Sequence, residues 1–273
     1  MTITVEQAPK ALRPLQLATV VPVVSVGIVV SALLLLALGL LGLVLGLVGT
    51  AIAAIVRVRR LGVGVEAEVL GRIGAEPVSG PHEARLTNLA EGLAAQRGVP
   101  LPALRVVEDP AANMLVVGMT PEHSVLVVTS GLVAALDRIQ LEAIIGRGIA
   151  EIRQGDLPAG TLAVRSVGRP ATSLDAGGIG SLFSRPFSGL IAAGTAYVTD
   201  LDRDLLLDQA GVALTRFPPG LVSALEVCAR VGTTLRRPDP TLDHLWMAAT
   251  GAEGRAVAER PTLQLRIEAL RLL

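Results

Sequence analysis

Residues 141–156, LEAIIGRGIAEIRQGD, combine apolar positions at helical spacing with an arginine and a glutamate one turn apart. Arg147 and Glu151 stand at i and i+4, where oppositely charged side chains on a helix can pair. An arginine stays cationic and only donates hydrogen bonds, so Arg147 cannot bind a metal ion. The chain has three histidines, His82, His123 and His244. None has a second histidine three or four residues away, so the sequence lacks the paired imidazoles of a zinc helix.

The composition describes an apolar chain without excess charge. Mean hydropathy is +0.59, and 51% of the 273 residues are apolar but only 2% aromatic, so any core is aliphatic. The 24 basic and 24 acidic residues cancel, which argues against a nucleic-acid-binding protein. The lone Cys228 excludes an internal disulfide and fits a reducing compartment. We expect its side chain to be a small buried apolar group.

One uncharged segment, 17–56, is predicted to enter a membrane. No charged residue stands between Arg13 and Arg57, and the apolar run covers 40 residues (17 to 56 inclusive). A single span needs about 20 apolar residues. The length therefore favours a two-helix hairpin with its turn at 37–42, and one long helix is the alternative. Residues 1–16 then form an N-terminal tail.

Four glycines in the second half of this segment predict a helix-packing face. They are Gly39, Gly42, Gly46 and Gly49, spaced three, four and three residues apart. Small residues at this spacing let two helices approach closely, within one chain or between two chains.

Basic residues at both ends of the segment predict its orientation. Lys10 and Arg13 precede it, and Arg57, Arg59 and Arg60 follow it. Positively charged flanks stay in the cytoplasm, so a hairpin with both ends inside satisfies the rule. We expect a protein of the cell (inner, cytoplasmic) membrane with its C-terminal domain facing the cytoplasm.

After a linker at 57–82, the pattern predicts a mostly helical α+β domain over 83–273. Three Val- and Leu-rich runs separated by turn residues indicate a small sheet or meander. These runs are Leu104–Val107, Met114–Val117 and Ser124–Thr129. The predicted helices are 81–97, 130–136, 137–154, one from near Ile191 through Arg216, 220–231, 242–249 and 261–273. Gly, Ser and Pro in the interval predict a mobile insert at about 160–190.

Five stretches of the domain carry a resemblance to a known family. They are TNLAEGLAAQRGVPLPAL (87–104), VVEDPAANMLVVGMTPEHSVLVVTSGLV (106–133), LEAIIGRGIAEIRQGD (141–156), LDRDLLLDQAGVALTRFPPGLVSALE (201–226) and ERPTLQLRIEALRLL (259–273). In this order and spacing they resemble the HtpX-like and CAAX-prenyl-protease family of membrane zinc metallopeptidases. The resemblance implies a zincin-like peptidase domain behind a transmembrane hairpin. It also implies a further membrane pair within 157–200, for which this sequence is too polar and broken.

The resemblance places the family's zinc site on residues that cannot hold zinc. By position, the two histidine ligands fall at Arg147 and Glu151, and the general base falls at Gly148. The glutamate ligand falls at Asp204, and the family's aspartate four residues later is present as Asp208. Glycine cannot act as a base, and the remaining carboxylates are poor ligands for zinc. We expect no catalytic zinc and no peptidase activity of this type.

The same placement suggests a substitute for the metal. If Asp204 packs where the third ligand would, Arg147 lies between Asp204 and Glu151 and joins two helices through its guanidinium. The alternative is an ordinary surface pair of Arg147 with Glu151, worth a few tenths of a kcal/mol, roughly.

These observations predict a catalytically inactive peptidase homologue that acts by binding. Its partners would be the lipid bilayer and other membrane subunits, as an accessory, regulatory or structural component. An edge strand, Met114–Val117 or Ser124–Thr129, could still capture an extended peptide. The alternative is an active membrane metallopeptidase whose metal is held by Glu151, Asp204 and Asp208 or shared with a partner chain. A scaffold whose cleft has no role is a third possibility.

Overall fold

The computed structural model describes residues 8–80, 83–155, 157–165, 201–251 and 261–273. Its first two helices, α1 (Ala8–Leu38) and α2 (Leu40–Arg60), pack side by side as a hairpin. Gly39 forms the turn with a φ of 63°, a conformation that glycine adopts readily. The helical hairpin predicted from the apolar run is therefore present, with its turn inside the predicted range 37–42. Helix α1 already starts at Ala8, within the predicted tail.

Only two of the four predicted glycines form the contact between α1 and α2. Gly42 packs on the backbone of Leu34, and a Cβ on Gly46 would lie 2.5 Å from Ser31 Oγ. Gly39 precedes α2 as its turn, and a Cβ on Gly49 would meet nothing within 4 Å. The residues of α2 that contact α1 repeat every four positions, at Gly42, Gly46 and Thr50. Gly49 lies beside this row and does not contact α1. Within the chain, the contact between the two helices thus involves Gly42 and Gly46 and not Gly39 or Gly49. A packing face for a helix of another chain stays a prediction.

The outer surface of the hairpin is apolar and exposed. Among the described residues, α2 is the one helix that is long and apolar enough to cross a membrane, and Val23–Leu38 is a shorter apolar stretch of α1. Leu36 and Leu40, beside the turn, are 84% and 77% exposed. Exposed aliphatic side chains in such density are suited to a hydrocarbon environment rather than to water.

The region predicted as a linker, 57–82, contains ordered structure. Helix α3 (Val65–Ile73) lies between Gly64 and Gly74, and the two-residue strand β1 (Glu76–Pro77) follows. Val65 and Val69 are fully buried, one turn apart, in a cluster that includes Val117 and Trp246. The sequence prediction missed α3 because nine residues between glycines give too short a pattern to separate from a turn.

Arg165 ties the end of the hairpin to the domain. Its guanidinium donates to the carbonyl oxygen of Leu61 at 2.6 Å and to that of Val63 at 3.0 Å. The same group lies 3.4 Å from the carboxylate of Glu68 on α3. These carbonyls follow the last turn of α2, where backbone acceptors lack helical partners. Arg165 therefore caps the helix and fixes its exit toward α3.

A four-stranded mixed sheet forms the centre of the domain, in the order β1-β2-β4-β3. Its longer strands are β2 (Ala103–Val107), β3 (Met114–Thr120) and β4 (His123–Thr129). All three predicted strands are present within a few residues. Strands β3 and β4 form an antiparallel hairpin, whereas β2 pairs with β4 in parallel. Of the two predicted arrangements, the small sheet is confirmed and the meander is wrong, because β4 lies between β2 and β3 instead of at an edge.

Helices cover the sheet. They are α4 (Glu83–Arg97), α5 (Ser130–Ala135), α6 (Arg138–Gln154), α7 (Leu157–Ala163), α8 (Leu201–Thr215), α9 (Pro218–Val231) and α10 (Leu263–Arg271). Helix α7 and its buried residues Ala159 to Ala163 include the start of the predicted insert at about 160–190, so that part is packed core. The rest of the insert and the helix start near Ile191 lie outside the described residues.

The helix predicted over 242–249 is wrong. Only Asp243–Leu245 forms a single 3-10 turn, and Trp246 then pairs as an isolated antiparallel bridge with Leu115 of β3. Asp243 accepts hydrogen bonds from the backbone and hydroxyl of Thr250, which holds the segment in a loop. Pairing with a strand distant in sequence thus overrides the local helical preference.

Candidate functional site

Helix α6 lies in the middle of the domain. Asp137 and Gln140 form a reciprocal capping box that fixes its first turn. Every residue from Ala143 to Ile152 is buried. One side of α6 faces strand β3 and another faces α8. The apolar positions of α6 pack as the sequence predicts, but its charged residues Arg147 and Glu151 are inside the core with them.

Arg147 is the centre of a buried ion-pair arrangement. Its Nε donates to Asp208 Oδ1 at 2.8 Å, and its Nη2 donates to Asp204 Oδ1 at 2.9 Å. Its Nη1 lies 3.6 Å from Glu151 Oε2. The Arg147 side chain is only 2% exposed. The predicted bridge from Arg147 to Glu151 and Asp204 is confirmed, and the alternative of a surface pair is wrong.

Two further arginines, which the sequence did not single out, complete the arrangement. Arg203 Nη2 donates to Glu151 Oε1 at 2.7 Å. Arg266 donates through Nε and Nη2 to the two oxygens of Asp208, at 2.6 Å and 2.7 Å, and through Nη1 to the carbonyl of Met247 at 2.6 Å. The only sequence signal for Arg266 was its place on the apolar side of the last helix, since it precedes Ile267 and stands four residues before Leu270.

We call these six side chains the charge cluster. Its members are Arg147, Glu151, Arg203, Asp204, Asp208 and Arg266, and all are buried. Three guanidinium groups face three carboxylates, so the formal charges balance. Burial would lower the pKa of Arg266, but the charges of Asp208 and Asp204 and the hydrogen bonds with Asp208 outweigh burial and raise it. Arg266 is therefore held firmly in its charged form.

Two glycines provide the space that this arrangement needs. A Cβ on Gly211 of α8 would lie 2.8 Å from the Cα of Arg147, so α6 and α8 can approach only because that residue is glycine. A Cβ on Gly148 would lie 2.8 Å from Leu126 Cδ1 and 3.3 Å from Met114 Sδ. The position of the expected general base therefore faces side chains of the sheet and has no room for a glutamate.

The zinc ion implied by the family resemblance does not fit these residues. Carboxylate oxygens of Glu151, Asp204 and Asp208 already accept hydrogen bonds from guanidinium groups, and three fixed positive charges would repel a divalent cation. No group of three or more His, Cys, Asp or Glu in the described residues is arranged to hold a metal. His244 Nε2 is 2.9 Å from the carbonyl oxygen of Gly160, and His123 is exposed at the start of β4. His82 lies outside the described residues.

The outer edge of β3 is occupied by the chain itself. Met247 N donates to the carbonyl oxygen of Met114 at 2.6 Å, next to the bridge between Leu115 and Trp246. Gly118 N donates to the Thr161 hydroxyl at 3.0 Å, and this hydroxyl donates back to the Gly118 carbonyl at 2.8 Å. Peptide capture on Met114–Val117 therefore meets an occupied edge. The other predicted strand, Ser124–Thr129, is interior and has no free edge.

The remaining candidate side chains are structural. Cys228 is fully buried on α9, and burial raises the pKa of its thiol to about 12. Trp246 is 2% exposed and packs in the core. The thiol is thus unreactive at neutral pH, and the indole is part of the hydrophobic core.

Comparisons with known proteins give a consistent relationship at the level of sequence. No protein-family model matches the chain. A protease HtpX homolog of Dictyoglomus turgidum is 28% identical over 209 residues, covering 69% of both chains. The homolog of Dictyoglomus thermophilum is 29% identical over 208 residues, covering 69% of both chains. The homolog of Tropheryma whipplei (strain Twist) is 27% identical over 219 residues, covering 72% of this chain and 75% of the homolog. The resemblance stated from the motifs is confirmed: the chain is similar to HtpX protease homologues over about 70% of its length.

Similar solved structures include the crystal structure of S. mikatae Ste24p, with a TM-score of 0.43 and 14% sequence identity. The match covers 81% of this chain, and the chain spans 57% of the length of that structure.

Proposed function

We propose that this protein is a membrane-anchored, catalytically inactive HtpX homologue that acts by binding, as an accessory or regulatory subunit of a membrane complex. The observation that carries the proposal is Arg147. A fully buried guanidinium, bonded to Asp204 and Asp208, stands where the family resemblance implies the first zinc ligand.

The chemistry of the charge cluster supports inactivity. Peptide hydrolysis of the implied type needs a metal-bound water and a general base. Gly148 offers no proton acceptor, and its surroundings are filled by Leu126 and Met114. The carboxylates are committed to arginines, and breaking a buried ion pair to admit a metal costs several kcal/mol, roughly 3 to 5. The cluster thus takes the structural part of a metal centre and supplies no reactive group.

The hairpin supports membrane anchoring. Helix α2 is 21 residues long, which is enough for one crossing of a bilayer, and it runs back alongside α1. Basic residues cluster at the end of α2, so the domain that follows would face the cytoplasm of the cell membrane.

A binding role through the apolar face of the hairpin agrees with both the inactive charge cluster and the membrane anchor. The outer face of the hairpin is apolar, and helices of another membrane protein could pack against it. The occupied edge of β3 makes peptide capture by strand addition the weaker route to a partner. We therefore place partner recognition on the hairpin and the exposed surface of the domain.

Metal and activity measurements test inactivity. The full chain, purified in an uncharged detergent, is analysed for zinc and assayed on an unfolded protein substrate beside the Dictyoglomus turgidum relative as a positive control. We expect substoichiometric zinc and no cleavage. Stoichiometric zinc that is lost in Glu151→Gln, together with cleavage, would overturn the proposal. The accessory role is tested by crosslinking in native membranes, where recovery of the chain without any crosslinked protein would contradict it.

A further inference from the structure

Three exposed arginines at the end of α2, which support the orientation proposed above, also form a charged surface. Arg57, Arg59 and Arg60 are exposed, and we call them the arginine collar. Within the described part of the chain, no hydrogen bond or ion pair joins their guanidinium groups to another side chain. Nearby Arg72 and Arg165, by contrast, pair with Asp239 and Glu68.

The collar lies where an apolar surface ends. The residues just before it on α2 are aliphatic and exposed, with Ile52 at 57% and Ile55 at 54%. Val63, just after it, is 67% exposed. Arginine side chains can lay their carbon stems along apolar surface and keep the guanidinium in a polar layer. This sequence of aliphatic, basic and again aliphatic exposed side chains fits the boundary between hydrocarbon and lipid headgroups.

No acidic side chain among the described residues forms an ion pair with the collar. Helix α2 contains no acidic residue, and the first acidic residues after it are Glu66 and Glu68. Glu68 is shared by Arg72 and Arg165. A planar guanidinium binds phosphate oxygens through paired hydrogen bonds. We propose that the arginine collar binds anionic phospholipid headgroups, so that the protein selects anionic lipid around the end of α2.

The proposal rests on the membrane anchoring proposed above and adds the lipid class. The collar also has an alternative role that involves no lipid, because cations near a helix C-terminus stabilise the helix dipole. That role is independent of lipid type, so a lipid comparison separates the two.

The test measures bound lipid. Full-length protein in uncharged detergent is offered equal amounts of phosphatidylglycerol and phosphatidylcholine, and retained lipids are counted by native mass spectrometry. We expect a preference for phosphatidylglycerol of about fivefold or more, the effect of roughly one arginine near an anionic surface. In Arg57→Gln/Arg59→Gln/Arg60→Gln the two lipids should bind almost equally.

Two further variants control for charge and folding. Arg138→Gln/Arg216→Gln/Arg230→Gln removes the same charge from exposed positions outside α2 and should keep the preference. The triple Arg→Lys variant of the collar should keep most of it. Equal binding by the wild-type chain, or equal loss in both glutamine variants, would overturn the proposal. Failure of membrane anchoring would appear separately, as release of the chain from membranes by alkaline carbonate.

Discussion

Asp208 on α8 accepts hydrogen bonds from two arginines on different helices, Arg147 at 2.8 Å and Arg266 at 2.6 Å and 2.7 Å. One carboxylate therefore joins α6, α8 and α10. Its exposed fraction is close to zero, so neither guanidinium can turn to water if this carboxylate is lost. A single substitution in this three-helix junction is therefore expected to be strongly destabilising.

Arg147→Ala should lower the free energy of unfolding by about 3–5 kcal/mol, because it leaves Asp204 and part of Asp208 buried without a counter-charge. Denaturant unfolding followed by fluorescence of Trp246, the only tryptophan, measures the change. Arg138→Ala is the matched control, since Arg138 is exposed on the same helix, and it should change stability by less than about 0.5 kcal/mol. Equal stability of the two variants would contradict a structural role for Arg147.

The pair of Glu151 and Arg203 should show coupling. A double-mutant cycle with Glu151→Gln and Arg203→Met should give an interaction free energy of about 0.5–3 kcal/mol, because their atoms lie 2.7 Å apart in the core. The same unfolding assay provides all four values. Strict additivity of the two substitutions would show that the contact does not hold α6 to α8.

Gly148→Ala should destabilise the domain by about 1–3 kcal/mol, since its Cβ would press on Leu126 at 2.8 Å. Gly92→Ala on α4 is the control, because a Cβ there meets nothing within 4 Å. It should stabilise its helix by about 0.5–1 kcal/mol. Similar effects at both positions would mean that the space beside Gly148 is open.

The hairpin contact predicts opposite outcomes for two neighbouring glycines. Gly46→Leu should lower the thermal midpoint in detergent, because a side chain there collides with Ser31, at a cost of about 1–3 kcal/mol. Gly49→Leu should leave the midpoint unchanged or raise it, since its Cβ position is open. Circular dichroism of the helices on heating measures both. A larger effect at Gly49 would reverse the assigned packing face.

Cys228 should resist alkylation in the folded protein. Burial raises the pKa of its thiol from 9.0 to about 12, so the folded state keeps the proton between these values while the unfolded chain releases it. This linkage makes folding stability decrease as the pH rises from 9 toward 12 and leaves it unaffected below 9. Iodoacetamide labelling at pH 8, with and without denaturant, measures the resistance of Cys228 to alkylation. Rapid labelling of the native protein would contradict the burial of Cys228.

The sequence patterns predicted the elements whose conformation is determined by their own local residues. The Val-rich runs of β2, β3 and β4 and the capped, apolar repeat of α6 fall in this class. The pairing of β2 with β4, the extended segment at Trp246 and the short α3 depend on contacts distant in sequence, and the sequence did not reveal them.

The charge cluster also contains residues that the sequence predicted and residues that it did not. Arg147, Glu151, Asp204 and Asp208 were found because each falls on a motif position of the resemblance. Arg203 occupies a helical position that is typical of a surface charge, and the place of Arg266 on the apolar side of α10 is a weak signal of burial. The burial of both depends on how α8 packs against α6 and how α10 packs against α8 and α9.

The occupied edge of β3 has a consequence for solubility and assembly. An exposed strand edge is a template on which identical chains stack into intermolecular sheets. Here Met247 and Thr161 satisfy one side of the sheet. The opposite edge is the two-residue β1, in which Pro77 has no N–H to offer. Copies of the chain that meet at high local concentration are therefore protected from polymerising through these sheet edges.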